Sequence, residues 1–509
     1  MGGIKWFSCT GRCGHRWPGL MLAGIVVIGM VPEAIYSRSG DSLKIHLQDA
    51  VLLGLQNNPT VRIQRLDQQV QQTLADEQRA VFDPQISADG QKSETKSLRR
   101  LGAQRTPFEL VDERFDFSLE VSERLPTGTT ISLSTGMSGS VSNLYTDQYS
   151  GNLGMTITQS LLQGFGPAAN LANLRRARLD VEISAEELKA VAENVSAAIE
   201  KAYWKLYLSG REIEIQQSSL ALAQQQLDES LERVKVGKLP ELELAAVNAE
   251  LSARRSALID IESRHEQFRL QLLYLLNPQE ENIRASYPVL LDKPFLPADT
   301  LDAVDTHLQL GMKYSPDLNQ ARLALARGEL EIARTKNGLL PRLDLFISLG
   351  RSSYSELFEK AYPDIKSPYY QINGGFNFVF PVPNRQASAQ LSRARFSREQ
   401  QELALHNMEK LVQLDIRSAY LEVLRFRQQI EVTRVTRELQ DKKLAAELEK
   451  FRVGKSTNFL VLQAQRDYTA SRLDEARAMV AYLEALIDLY ISEGTLLERR
   501  GIRSPGSLD

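Results

Sequence analysis

Two stretches 257 residues apart carry one plan: LGLQNNPTVRIQRL at 53–66 and LGMKYSPDLNQARL at 310–323. Gly54 and Pro59 of the first recur as Gly311 and Pro316 of the second, and Leu66 as Leu323. At the same offset Pro84 matches Pro341 and Ile86 matches Leu343. Further along the offset shortens to 217, where Leu174, Ala177, Arg178, Tyr203 and Gly237 return as Leu391, Ala394, Arg395, Tyr420 and Gly454. The chain is one unit written twice. The 40-residue difference between the offsets lies between about Ile86 and Met155 of the first copy.

Each copy reads as a helix, strands, a long helix, a turn and a medium helix. Asn58-Pro59 opens a helix that must stop before Asp83-Pro84, because proline does not continue one. From about 168 to 235 there is no proline and a single glycine, Gly210. Along this run Val195, Ile199, Ala202, Leu206, Ser209 and Ile213 are spaced alternately by four and three, as are Val412, Ile416, Ala419, Val423, Phe426 and Ile430 in the second copy. That is a coiled-coil seam. A second row, Leu411, Leu414, Ser418 and Leu421, lies beside it, and two adjacent seams suit a helix with a neighbour on each side. The long helices are expected at about 168–235 and 385–452, and the medium ones at 241–276 and about 457–491. At about 1.5 Å per residue, the short helix 60–81 and the medium helix stacked end to end nearly match a long helix of about 100 Å. Each copy then supplies one continuous strut and one spliced strut, four struts per chain.

Between the short and long helices, at about 85–162 and 342–380, the period changes to two. Phe115, Phe117, Leu119 and Val121 alternate with Asp116, Ser118, Glu120 and Ser122, and Phe376, Phe378 and Phe380 with Asn377 and Val379. Such alternation fits either a half-polar soluble sheet or lipid-facing barrel strands. The first residues bear on that choice. Lys5, Arg12 and Arg16 precede the apolar run GLMLAGIVVIGMV at 19–31, which reads as a secretory signal over about 1–37. After it no apolar run is long enough to span as a helix, so an exported chain of this kind enters a membrane only as a barrel. Four or six strands are too few to close one, and several chains would have to share it.

Composition removes other classes. Formal charge is −3, from 61 basic and 64 acidic residues, so there is no basic field for nucleic acid. Both cysteines, Cys9 and Cys13, fall within the leader, leaving no thiolate metal site or disulfide framework. The five histidines are scattered, and no metal or other cofactor is expected. Gly454-Lys455-Ser456 lacks the first glycine of a phosphate loop, since 449 is Glu449, and His265-Glu266 lacks a second histidine. No catalytic constellation is found, and an enzyme is not expected.

Three passages, in order and duplicated, resemble the TolC-like outer-membrane efflux proteins over nearly the whole mature chain. They are the helix openings quoted above, the strand-to-helix passages QSLLQGFGPAANLANLRRARLD (159–180) and FVFPVPNRQASAQLSRARFS (378–397), and the tips RVKVGKLPELELAAVNAEL (233–251) and KFRVGKSTNFLVLQAQRDY (450–468). The resemblance implies a mainly α fold with a transmembrane β part. Three chains would share an outer-membrane β-barrel continuous with a twelve-helix tunnel through the periplasm. It implies passive export, a periplasmic adaptor, an energising inner-membrane pump and outer-membrane lipid as partners, and a periplasm-facing bulk. The repeats are expected over 38–290 and 291–495, with a polar tail at 496–509.

By the same match the adaptor-docking tips are Arg233, Val236, Gly237 and Lys238 in one copy and Lys450, Val453, Gly454 and Lys455 in the other. Family members often carry two aspartates just past the second tip. Here the matching residues are Leu460 and Gln463, whereas Glu243 falls opposite Leu460 with Glu241 two residues earlier. An entrance ring of carboxylates would then sit on the other helix pair, unless these are ordinary first-turn glutamates favoured by the helix dipole. The extra residues form an expected hairpin, 114–123 and 129–139 around Leu125-Pro126-Thr127-Gly128. It either joins the barrel, giving eighteen strands against the family's usual twelve, or lies as a surface flap. The flap is the expectation, because a wider barrel must still meet a twelve-helix tunnel. The competing classes are a periplasmic adaptor, which would have one hairpin between compact β domains, and a structural envelope coiled coil, which would not need aromatic period-2 strands.

Overall fold

The computed structural model describes residues 44–100, 107–278, 288–296, 301–362 and 368–503. The expected leader at 1–37 lies outside them. The helices are α1 (Leu47–Asn57), α2 (Pro59–Arg79), α3 (Ala172–Lys235), α4 (Leu242–Leu276), α5 (Val304–Tyr314), α6 (Pro316–Asn337), α7 (Arg385–Arg452), α8 (Asn458–Glu493) and the single turn α9 (Leu496–Arg499). Six long strands, β2 (Gln85–Arg99), β3 (Phe108–Arg124), β4 (Thr129–Ser142), β5 (Gln148–Ser160), β7 (Arg342–Ser355) and β8 (Tyr370–Val379), make one sheet. Two-residue strands β1 (Lys44–Ile45) and β6 (Val289–Leu290) pair in parallel.

Local chemistry accounts for the helix ends. Asn58 caps α2 by accepting from the Thr60 N–H at 2.9 Å, and Pro59 occupies the first turn, where its missing N–H is harmless. α4 ends on Asn277 and α8 on Gly494, matched positions of the two copies that both adopt the left-handed conformation. The helices α1 and α5 were not legible as separate elements. They stop at Asn57 and Tyr314, two residues before Pro59 and Pro316, because Asn58 and Ser315, which precede the prolines, are driven out of the helical region. Both lie close on a long helix through the repeated glycine. A methyl group on Gly54 would meet Ile199 Cδ1 at 2.2 Å, and one on Gly311 would meet Ile416 Cδ1 at 2.2 Å.

The struts are spliced as expected. α2 and α4 both pack along one side of α3, while α6 and α8 pack along its other side and along α7. The layer therefore runs α2/α4, α3, α6/α8, α7. Its apolar core joins Leu188, Ile199, Tyr203 and Leu206 of α3 with Leu272 and Leu276 of α4 and Ile487 and Leu489 of α8. The expected polar tail at 496 is docked as far as Ile502: Leu496 and Leu497 are fully buried, and Arg500 makes two bonds to buried Glu200, at 2.8 and 2.6 Å. Burying that carboxylate requires such a partner.

The sheet order is β2-β3-β4-β5-β7-β8, antiparallel throughout. This corrects the flap expectation. β3 is paired along most of its length with β2 on one side and β4 on the other, and β4 in turn with β5. A flap would leave the facing edges of β2 and β5 with a row of unpaired N–H and C=O groups, or require them to meet directly. Inserting a complete hairpin satisfies both. The Pro126-Thr127-Gly128 turn that joins β3 and β4 needs its glycine, at φ 88°, and it is closed by Gly128 N–H donating to Leu125 O at 3.0 Å.

The candidate site at the hairpin tips

Each long helix ends in the same device. At the α3 tip Val236 leaves the helix, Gly237 turns left-handed at φ 71°, and Lys238 N–H donates back to Arg233 O at 2.8 Å. At the α7 tip Val453, Gly454 at φ 76° and the Lys455 N–H donating to Lys450 O at 2.7 Å repeat it. This is a Schellman closure, and glycine fits because a side chain would strain the positive φ. Both closures present a valine to solvent, Val236 at 64% and Val453 at 67% exposure. Gly237, Lys238, Gly454 and Lys455 are exposed beside them.

The other two tip residues are engaged. The Arg233 guanidinium lies 4.1 Å from the centre of the Phe451 ring and donates to Phe451 O at 3.1 Å, binding one hairpin to the other. Lys450 pairs with Glu447 at 2.6 Å, and Ser456 donates to the same carboxylate at 2.8 Å. The Lys450 and Ser456 hydrogen bonds hold the Glu447 carboxyl below the usual carboxylate range. Glu241 at the N-cap of α4 and Glu243 in its first turn make no side-chain hydrogen bond or ion pair to any described residue. Leu460 and Gln463 are exposed on the first turns of α8. Thus the tips separate into a free apolar-and-lysine surface and an inner set that couples the hairpins.

That coupling continues along α3 away from the tip as a largely polar seam that the sequence analysis does not single out. Glu212, Gln216, Ser219, Ala223, Gln226 and Ser230 of α3 are buried at the same alternating spacing of four and three as the apolar seam. Their partners lie chiefly on α8. Gln226 Nε2 donates to Asn458 Oδ1 at 2.7 Å, Ser219 meets Thr469 at 3.0 Å, and Arg477 Nε donates to Glu212 at 2.7 Å. From α4, Arg254 donates to Glu250 at 2.8 Å and to Thr469 at 3.0 Å, while Arg466 of α8 reaches Glu250 at 3.0 Å. Higher on α3, Ser209 shares a 2.8 Å hydrogen bond with His265, whose pKa burial pushes down. The signal was available: heptad-like spacing filled by Glu, Gln and Ser instead of Val, Ile and Leu.

Among the described residues there is no group of acids, histidines or cysteines that could hold a metal ion. No described helix is long and apolar enough to cross a membrane.

Comparison with known proteins agrees with this geometry. The family model described as outer membrane efflux protein matches residues 53–277 and 308–495, one segment in each copy. The pyoverdine export outer membrane protein OpmQ of Pseudomonas putida is 27% identical over 297 residues, 56% of this chain and 58% of that protein. The alignment therefore spans little more than half of that relative. The CmeC outer membrane channel of Campylobacter jejuni superposes with a TM-score of 0.65 at 16% identity, covering 91% of this chain and 87% of the other. The open-state MtrE outer membrane channel of Neisseria gonorrhoeae does so with a TM-score of 0.64 at 17% identity, covering 89% of each. Two matched segments, two spliced struts and one shared fold lead to one conclusion: the chain belongs to the outer membrane efflux protein family.

Proposed function

We propose that three copies of this chain assemble head to tail into an exit duct, through which cargo leaves the periplasm across the outer membrane. The observation that carries the reading is a pair of matched open edges. α2 runs into β2 at one side of the molecule, and β8 runs into α7 at the other. The helical edges are apolar: α7 exposes Leu403, Leu414, Leu421 and Leu439, and the α2/α4 side exposes Ile63, Leu66, Ile259 and Leu270. A single heterologous contact repeated around an axis covers both helical edges and pairs β8 with the next β2, and it closes as a ring. Three chains of four struts make twelve helices, and a 64-residue α3 gives a duct of about 100 Å.

The exposed tip residues Val236, Gly237, Lys238, Val453, Gly454 and Lys455 are where a periplasmic adaptor docks, and Arg233 and Lys450 hold that surface in shape. An inner-membrane pump behind the adaptor supplies the energy. Glu241 and Glu243 form the carboxylate ring of the entrance, opposite Leu460 and Gln463. The test is the mass of the detergent-extracted protein together with its single-channel conductance in planar bilayers. A conducting trimer is expected, and Glu243→Gln is expected to weaken its cation preference. A monomer that neither inserts nor conducts would overturn the duct. Unchanged selectivity in Glu243→Gln would remove that residue from the entrance.

A further inference from the structure

We infer that the barrel of this protein has eighteen strands, six from each chain, and that its exit is a wide, hydroxyl-lined pore suited to bulky hydrated cargo. This rests on the trimeric duct proposed above and adds the architecture of its outer end.

The first support is a single apolar row that crosses all six strands. Ile86 is registered with Val121, Val121 with Leu133, Leu133 with Met155, Met155 with Leu349, and Leu349 with Ile372. The inserted strands β3 and β4 lie in the middle of that row, and their apolar residues share a face with those of β5, β7 and β8. Soluble flaps have no reason to keep this registration.

The second support is a slope. On β3 the apolar run, Phe115 to Val121, lies at and above the row; on β7 and β8 it lies at and below it, from Leu343 to Leu349 and down to Phe378. From β3 to β8 the centre of the band descends by about one and a half residues per strand. At about 3.3 Å per residue and about 4.8 Å per strand this is a tilt of about 45°. Membrane barrels tilt their strands by about 35–45°. Arg351 and its cross-strand neighbour Tyr370 stand just above the band, at the height of an interfacial rim.

The third support is the opposite face. Its concavity is bounded by Asp89, Gln91, Asp116, Ser118, Ser138 and Asn152. Hydroxyls on it bond across strands, Ser138 to Ser150 at 2.7 Å and Thr156 to Ser348 at 2.9 Å. The polar face is thus concave and lined mainly by short side chains, as a lumen would be. Phe346 and Tyr354 are large exceptions, and Phe346 lies against Gly375, where an added methyl would come within 2.9 Å of the ring.

Closure follows from parity. Six antiparallel strands leave β2 and β8 running in opposite directions, so β8 of one copy can pair antiparallel with β2 of the next. Eighteen strands tilted by about 35–40°, within the range of membrane barrels, give a backbone diameter of about 35 Å, against about 23 Å for twelve. A ring of twelve helices at about 8–10 Å spacing has a diameter of about 31–39 Å. The wider barrel is therefore the better match to the tunnel, and the difficulty that favoured a flap disappears.

The test uses the full chain in outer-membrane vesicles, with Cys9 and Cys13 replaced by serine and one new cysteine at a time. Ser118→Cys and Ser134→Cys are expected to react with a charged, membrane-impermeant thiol reagent, whereas Phe117→Cys and Leu133→Cys are expected to react at least about tenfold more slowly and to be quenched by a lipid-borne quencher. Imaging of the trimer across the barrel should give a diameter of about 35 Å, falling to about 23 Å on deletion of residues 107–143. Equal labelling at all four positions, or a 23 Å barrel in the intact chain, would overturn the inference while leaving a twelve-stranded duct standing. Protein that forms no membrane-inserted trimer at all would instead sink the duct reading on which it rests.

Discussion

The long helices α3 and α7 are copies of one sequence plan, yet they lead different lives in the chain. Ala197 and Trp204 on α3 are each 3% exposed, whereas the matched Leu414 and Leu421 on α7 are 59% and 64% exposed. The interior copy has small, polar or aromatic residues against neighbours of its own chain. The edge copy has leucines that the described residues of its own chain leave exposed. A soluble helix with two apolar seams is expected to bury both. The difference teaches that equivalent positions can be spent on intrachain packing in one copy and left for the proposed assembly contact in the other.

The largest expected effect breaks that comparison at the edge. Leu414→Asp with Leu421→Asp should leave the monomer's helix content intact and abolish the trimer, read as native mass in detergent. Retention of the trimer would show that α7 has no partner at this face. Next come Ile199→Ala and Ile416→Ala, matched fully buried residues beneath Gly54 and Gly311. Each should destabilise by about 2–5 kcal/mol, to similar extents, because the packing under the two glycines is repeated. A large effect in only one would show that the copies have diverged in energy as well as in sequence. Thermal unfolding followed by circular dichroism reads both.

A pH-dependent term distinguishes the copies further. Glu193 of α3 is buried, and burial pushes its pKa up to about 8 from 4.5; the matched residue of α7 is Lys410. Below pH 4.5 the group is protonated in both folded and unfolded chains. Between 4.5 and 8 the folded state binds the extra proton, so stability falls as pH rises through that window. Glu193→Gln should therefore unfold at a higher temperature than the wild type at pH 8, by several degrees, with little difference at pH 4.5. A constant difference across that range would mean that Glu193 is not held neutral. The smallest effect is expected in the polar seam. Asn458→Ala removes the bonds to Gln226 and Ser230, 2.7 and 3.3 Å long, and should cost about 1 kcal/mol. Such a seam holds the two hairpins together less firmly than an apolar one would, which fits the proposed duct if its tips separate in use. Replacing Asn458 and Gln226 together by leucine should lower conductance in the bilayer assay more than it lowers stability.

Much of this architecture was written along the chain. Two offsets showed the duplication, alternating spacings of four and three showed the long helices, and Gly237 and Gly454 marked their ends, because helix periodicity and turn conformation are local properties of consecutive residues. What the sequence could not decide was which groups meet across elements. The register that carries Ile86 across six strands to Ile372 depends on pairings between residues far apart in the chain, so the hairpin was misjudged as a flap. Arg233 meets Phe451 at the end of α7, and Gln226 meets Asn458 at the start of α8, only because the second hairpin packs against α3 at one particular offset. Leu414 and Ala197 share a place in the repeat, but only the order of struts in the layer puts one at an open edge and the other inside. Local spacing selects the elements; the cost of leaving backbone edges and buried polar groups unpaired selects how they are joined.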